Sequence, residues 1–332
     1  MFYSAVMVLL VACTDLTTNP RQSLTPEIAL KDVSGYQSLA NSMYNRATGF
    51  GYYGQTMMIA PDILADNLKL IANTGRYQGE EANGDRDHIN IWGLNVFGAI
   101  NDANLIIEGI DSEEVSGTES EKSFIKGEAY FMRALLYFDL CRVYGYEPGR
   151  EINGFNLGPV LRLTPTLKAS DADYRPRATV EEVYQQIESD LLEAESMVGY
   201  APIASEWVYY GNTGAVYTLL ARLYLYWGRM EDAEEFASKA MEILNLRSNG
   251  EGLVEAAQYV QSFSRAPHPE SIFELEIRQV DWNSADGVNN SLNSLVSDSE
   301  PAAQFILSAS DELIASYEEG DVRKDCWRAT TR

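Results

Sequence analysis

Two short stretches of this 332-residue chain set aromatic rings beside planar polar side chains, the combination that binding of a polyhydroxylated ring requires. Arg76 and Tyr77, with Asn73 and Gln78 beside them and Asn83 shortly after, combine a phenol ring with a guanidinium and planar amides. Trp282, Asn283 and Asp286 do the same within the polar run Asp281 to Asn290. A sugar ring presents apolar C–H faces and a rim of hydroxyls, so flat rings stack on it while amides, carboxylates and guanidiniums make directional hydrogen bonds. Gly49 to Gly54 sets Phe50, Tyr52 and Tyr53 among glycines, and Trp207, Tyr209 and Tyr210 form another aromatic group. The competing reading is that such rings cover helix ends, since aromatic side chains bury readily.

Bond-breaking chemistry is thin by comparison. The chain has no G-x-S-x-G elbow, no G-x-x-x-x-G-K-[ST] loop and no H-E-x-x-H helix, and no residue is assigned a catalytic role. His88, next to Asp87 at an expected helix start, has the chemistry of a general base, but a lone histidine is more often a surface or core residue. With 49 acidic residues, a carboxylate pair arises by chance, and the separation that sets a glycosidase mechanism is not readable from sequence. The Asp281 run fails the EF-hand template, with Ala285 at the fifth position, Asp286 at the glycine position and Leu292 where the bidentate acid belongs. Two histidines and three cysteines are too few and scattered for paired zinc motifs or a disulfide framework. No metal and no cofactor is therefore expected. Twenty-five basic against 49 acidic residues give a net charge of −24, which argues against nucleic acid, where clustered Lys and Arg must neutralise phosphates.

The elements that position these segments are helical. A composition of 45% hydrophobic and 22% charged residues supports a packed core. Tyr36, Leu39, Ala40, Met43, Tyr44 and Ala47 form one apolar stripe at helical spacing, and Val96, Ile100, Ala103, Ile107 and Ile110 form a second. Phe124 to Tyr144 leaves almost no polar face, so this helix is central, and Glu128, Arg133, Asp139 and Arg142 within it must find partners. Gly145 and Pro148 end it, and Gly158 to Leu161 suggests a short extended piece. Thr179 and Glu182 read as a capping box that opens a helix through Val183, Ile187, Leu191, Ala194 and Val198. From Ala215 to Leu244, Tyr217, Leu220, Ala221, Tyr224, Gly228, Ala233, Ala237 and Ala240 fall at tetratricopeptide offsets, with Asn245 where a closing proline often stands. Arg142-Val143-Tyr144 and Arg222-Leu223-Tyr224 repeat one phrase, which supports stacked helical hairpins. Tyr44, Tyr144, Tyr217 and Tyr224 are read as packing. Alternation in Ser271 to Arg278 predicts a strand with one wet face.

At the amino end, Ala5 to Ala12 has the length of a signal-peptide apolar region and is too short to span a bilayer. Leu10-Val11-Ala12-Cys13 has the form of a lipobox, which predicts lipid on Cys13; an ordinary signal peptide, or a buried segment with a chance cysteine, is the alternative. The basic stretch that normally precedes such a segment is missing. The expected division is thus a signal peptide over 1–12, a lipidated tether over 13–34, and a single helical domain over 35–332 that lacks a closing C-terminal element.

Several phrases together resemble the RagB/SusD family of outer-membrane glycan-binding lipoproteins. They are the lipobox at Cys13; Trp92 with Phe97, Ile100 and Asn104; Glu128 to Leu140 continuing into Arg142-Val143-Tyr144-Gly145; Arg177 to Val180 with Tyr184, Ile187, Asp190 and Leu191; Ala221 to Tyr224; Glu270 to Glu274; and Asp321-Val322-Arg323. The resemblance implies a mostly α fold of tetratricopeptide-like hairpin repeats with an irregular loop-rich portion and a few short strands. It also implies a non-catalytic protein at the cell surface of Bacteroidota, anchored in the outer membrane through Cys13. There it would bind oligosaccharide and deliver it to a SusC-like TonB-dependent transporter. Two or three stacked rings at about 1 kcal/mol each and a few hydrogen bonds of similar size set an affinity of roughly micromolar to millimolar order. The net charge weakly favours neutral sugars. A helical repeat that binds peptides or a protein partner is the second reading, and a glycoside hydrolase the third.

Overall fold

The computed structural model describes residues 29–84, 88–168, 170–199, 207–247, 252–278, 292–296 and 304–327. Cys13 and the residues Trp282, Asn283 and Asp286 lie outside them.

Seven helices make the scaffold: α1 (Val33–Ala47), α2 (Thr56–Leu64), α3 (Leu94–Gly109), α4 (Glu119–Tyr144), α5 (Val180–Val198), α6 (Thr213–Trp227) and α7 (Met230–Arg247). Their starts are chemically specified. The Asp32 carboxylate accepts from the Gly35 amide at 2.9 Å, and Thr118 with Glu121 and Thr179 with Glu182 both close capping boxes. At the tip between α6 and α7, Gly228 adopts φ +78°, the left-handed geometry that lets the chain reverse in two residues. α1 packs on α3, α3 on α4, α4 on α5, α5 on α6 and α6 on α7, a progression in which each helix covers its neighbour's apolar stripe. The expected stripes of α1, α3, α5 and α6 all contribute to one continuous core, joined by Phe236 of α7.

Helix α4 is the axis of that core, and its buried charges are all engaged. Arg133 grips Asp190 of α5 through Nε at 2.8 Å and Nη2 at 2.6 Å, and donates through Nη1 to Asn104 of α3 at 2.7 Å. Asn104 in turn donates to the carbonyls of Arg162 and Thr164, so one guanidinium ties three helices and a connecting loop. Asp139 accepts the hydroxyls of Tyr52 and Tyr53, each at 2.5 Å, and burial still raises its pKa above the usual carboxylate range. Tyr52 is therefore a buried strut, not a displayed ring, and Tyr53 is pinned the same way; the glycines around them turn the chain inward onto α4. Glu128 accepts the Tyr44 hydroxyl at 2.7 Å. Tyr144, Tyr217 and Tyr224 pack as expected: Tyr144 receives the amides of Ile91 and Trp92, and the other two rings lie against Phe236.

The strands differ from the sequence reading. Residues 271–278 form no strand, because among the described residues their backbone–backbone bonds are a local turn from the Ser271 amide to the His268 carbonyl and a single bond from the Glu274 amide to the Val208 carbonyl at 2.8 Å, not a ladder. Their alternation instead sets Phe273 edge-on against Phe131 at 5.1 Å and packs Leu275 on the core. Gly158 to Leu161 is irregular too, with an isolated bridge between Leu157 and Thr179, and Arg177 holds it by donating to the carbonyls of Tyr144, Leu157 and Gly158. Two three-residue strands occur elsewhere: β1 (Leu68–Leu70) pairs antiparallel with β2 (Leu307–Ala309), Leu68 opposite Ala309. They support a second, small apolar cluster of Ile59, Ile63, Leu68, Leu295, Ile306 and Leu307. A short helix α8 (Asp311–Ser316) follows β2.

Candidate functional site

The small cluster carries the loop in which Arg76, Tyr77 and Asn83 lie. After β1 the chain turns out through exposed Ile71, Asn73 and Thr74, then back through Tyr77 into a single helical turn, Gln78–Glu81. Glu81 closes this excursion by accepting the Leu70 amide at 2.8 Å. Tyr77 itself adopts φ +58°, a left-handed conformation that costs a bulky residue on the order of 1 kcal/mol. Its ring packs on the small cluster and its hydroxyl donates to Gln55 Oε1 at 2.8 Å, and together these hold the turn. Burial raises the Tyr77 pKa, so the hydroxyl stays protonated as a donor.

Arg76 joins the same anchor. Its Nη2 donates to Gln55 Oε1 and its Nη1 to Gln304 Oε1, both at 2.9 Å. Gln55 is fully buried at the start of α2, and Gln304 leads into β2. Two amide oxygens from distant parts of the chain therefore fix the plane of a half-exposed guanidinium, the preorganisation that a directional donor to a hydroxyl or carboxylate needs. Arg76 and Tyr77 are thus brought together on Gln55. Asn83 is exposed at φ +47° on the far end of the same loop, with its amide bonded to the Glu80 carbonyl and no described contact to Arg76 or Tyr77. Leu292, the first described residue after the segment that holds Trp282, Asn283 and Asp286, packs on the same small cluster as Tyr77. Sequence reasoning missed Gln55 and Gln304, whose contacts span 21 and 228 positions and leave no local signal.

His88 does not behave as a general base. Its Nδ1 lies 3.3 Å from the buried Glu80 carboxylate and its Nε2 2.6 Å from the Gly84 carbonyl, so both ring nitrogens are used to close the loop. Among the described residues no group of three or more potential ligands is placed to hold a metal ion, and no helix is long and apolar enough to cross a membrane. Tyr210 packs near Phe124 at 6.3 Å between ring centres. Between α4, α6 and residues 273–277 a cavity of about 360 Å³ opens, walled by Phe131, Leu135, Leu219, Phe273 and Leu275 with Arg222 as its cation.

Comparison with known proteins places this architecture. Residues 31–225 match a SusD-like family described as starch-binding and associating with the outer membrane. A SusD superfamily protein of Bacteroides thetaiotaomicron has the same fold, with a TM-score of 0.73 and 26% identity over 89% of this chain and 64% of that one. One from Bacteroides vulgatus gives a TM-score of 0.75 and 24% identity over 89% and 65%. SusD-like protein P2 of Formosa agariphila is 24% identical over 77% of this chain, which spans 49% of that protein's length. The family match covers more than half of the chain and includes the Arg133–Asp190 framework and the Arg76–Tyr77 loop: the chain belongs to the SusD-like family.

Proposed function

We propose that the protein is a non-catalytic carbohydrate-binding lipoprotein of the outer cell surface. It captures oligosaccharide and passes it to a SusC-like TonB-dependent transporter. The observation that carries this reading is the match over residues 31–225 to a family described as starch-binding and associating with the outer membrane. A SusD-like protein that binds laminarin shares the fold, which is consistent with a glycan ligand. In this reading Arg76 supplies oriented donors, Tyr77 holds the loop and offers its ring edge, Asn83 adds an exposed amide, and Trp282, Asn283 and Asp286 complete the site. Cys13 carries the lipid that keeps the protein at the membrane. Weak, fast contacts suit a receptor that must release its ligand to a pore.

The test is affinity electrophoresis of the intact protein through a panel of polysaccharides. At least one neutral glycan retards it, and R76A and N83A each reduce the retardation while leaving the thermal melting transition in place. A correctly folded protein that no glycan retards defeats the reading, and so does release of sugar products on long incubation, which would make it a hydrolase. The apolar cavity beside α6 favours one rival, a peptide or protein ligand that inserts an apolar side chain. Calorimetry with peptide pools against glycan pools separates the two.

A further inference from the structure

A second cavity, of about 600 Å³, opens at the C-terminal end of α4, where α2, α4 and α6 converge on the chain that follows Gly145. Its size suits two or three sugar rings. Tyr146 and Tyr226, 38% and 43% exposed, stand on its wall, and each carries a guanidinium on its face. Arg142 lies 5.2 Å from the centre of the Tyr226 ring and Arg150 lies 5.8 Å from that of Tyr146. Each arginine makes one hydrogen bond to a carboxylate, Arg142 to Asp139 at 3.3 Å and Arg150 to Glu147 at 3.1 Å. A guanidinium has five N–H donors, so both retain several for an incoming acceptor.

Two further features mark the cavity as a built site. Tyr184 of α5 lines it, is only 2% exposed, and its hydroxyl has no hydrogen-bond partner among the described residues. The hydroxyl is not fully buried, so it is open to the cavity and free to donate to a ligand acceptor. The charge of the wall is also out of keeping with the chain. In a protein of net charge −24, this mouth has two guanidiniums, Arg142 and Arg150, against one exposed carboxylate, Glu147. Asp139 is buried and already shared by Tyr52 and Tyr53, and His88 is committed to Glu80. With each guanidinium paired to one carboxylate the mouth is about charge-balanced, so inside a strongly negative envelope it repels an anionic ligand least and offers it unused N–H donors.

We propose that this cavity binds an acidic oligosaccharide of two or three rings: the uronate carboxylate takes the unused donors of Arg142 and Arg150, a sugar face stacks on Tyr146 or Tyr226, and the Tyr184 hydroxyl bonds a ring oxygen. The site is separate from the Arg76 loop and does not depend on it.

The probe is trigalacturonate, with maltotriose as the neutral control, titrated calorimetrically into the 332-residue protein at low salt. Trigalacturonate binds at least tenfold more tightly than maltotriose and weakens on raising the salt to about 0.5 M. R150Q, which alters an exposed side chain, weakens it about tenfold. Y184F, which removes only a hydroxyl with no internal bond, weakens it about threefold to tenfold. Equal binding of maltotriose, no binding of trigalacturonate, or indifference to both R150Q and Y184F would each overturn the assignment. None of these outcomes bears on retardation by neutral glycan, so this proposal and the one above fail separately.

Discussion

Glu128 sets up a stability measurement with a defined sign. It sits on α4 with no exposed surface; its Oε1 accepts the Tyr44 hydroxyl at 2.7 Å, and that hydroxyl accepts the Gly211 amide at 2.9 Å. The other carboxylate oxygen, Oε2, is buried without a hydrogen-bond partner among the described residues. Desolvation dominates and pushes the Glu128 pKa from the ordinary 4.5 up to about 7, against the opposing pull of its hydrogen bonds. The folded protein therefore keeps this proton to higher pH than the unfolded chain. Its contribution to stability is complete below pH 4.5 and is lost as pH rises through about 7, after which it stays flat. A gap of this size corresponds to about 3 kcal/mol.

The perturbation is E128Q, which keeps the shape and cannot titrate. Urea unfolding followed by far-ultraviolet circular dichroism at pH 4.5 and pH 8 gives four stabilities. Any fixed cost of the amide is the same at both pH values and cancels, as do the other titrating groups common to both proteins. The remaining double difference is about 3 kcal/mol: wild type loses that much more than E128Q on going from pH 4.5 to pH 8. Curves that run parallel to within about 0.5 kcal/mol would refute the assignment of a raised pKa to this carboxyl.

Three further outcomes follow from the core. D190N removes the carboxylate that neutralises buried Arg133 and lowers stability by about 3–5 kcal/mol in urea titration at neutral pH, because it leaves a desolvated guanidinium uncompensated. G127A places a methyl 2.8 Å from Met197 Cβ and Val198 Cγ1 and 3.0 Å from the Val198 backbone nitrogen. The overpacking cost of about 1–3 kcal/mol exceeds the roughly 1 kcal/mol gained in helix propensity, so the melting temperature falls by a few degrees. Among the described cysteines, exposed Cys326 reacts with Ellman's reagent in the native state, whereas Cys141, buried and with its thiol pushed up to about 12, reacts only on unfolding.

How much of this was legible in sequence depends on the range of each contact. Helices α1, α3 and α5 to α7 declare themselves because a 3.6-residue period is a local property, and Thr179 with Glu182 marks a start just as the structure has it. The central helix reads as beginning at Phe124, although Thr118 and Glu121 carry the same signature one turn earlier. That its charges need partners is a local inference; that Asp190 serves Arg133 and that Tyr52 and Tyr53 serve Asp139 is not, since those partners lie 57, 87 and 86 positions away. The same limit hid β1 and β2, three residues each and joined across most of the chain, and made residues 271–278 look like a strand when, among the described residues, one bond from Glu274 to Val208 stands where a ladder would be. Arg76 and Tyr77 stood out by type, but what orients them, Gln55 and Gln304, did not.

Helix α2 connects the two proposed sites. Gln55, the residue before its first turn, holds Arg76 and Tyr77, while Met57, Pro61 and Leu64 along its length line the cavity at the end of α4. A nine-residue helix is only about 14 Å long, so an extended saccharide of a few rings can reach from one site to the other. Each site alone offers a handful of contacts and weak binding, but a polymer held at one meets the second at high effective concentration. That gain needs both sites on a rigid frame, because a mobile separation would dilute it. Tyr52 and Tyr53, just before α2, supply that rigidity by bonding Asp139 of α4, which the Arg133 network fixes against α3 and α5. The expensive polar groups in the core are therefore spent on fixing geometry, while the ligand contacts stay few and reversible.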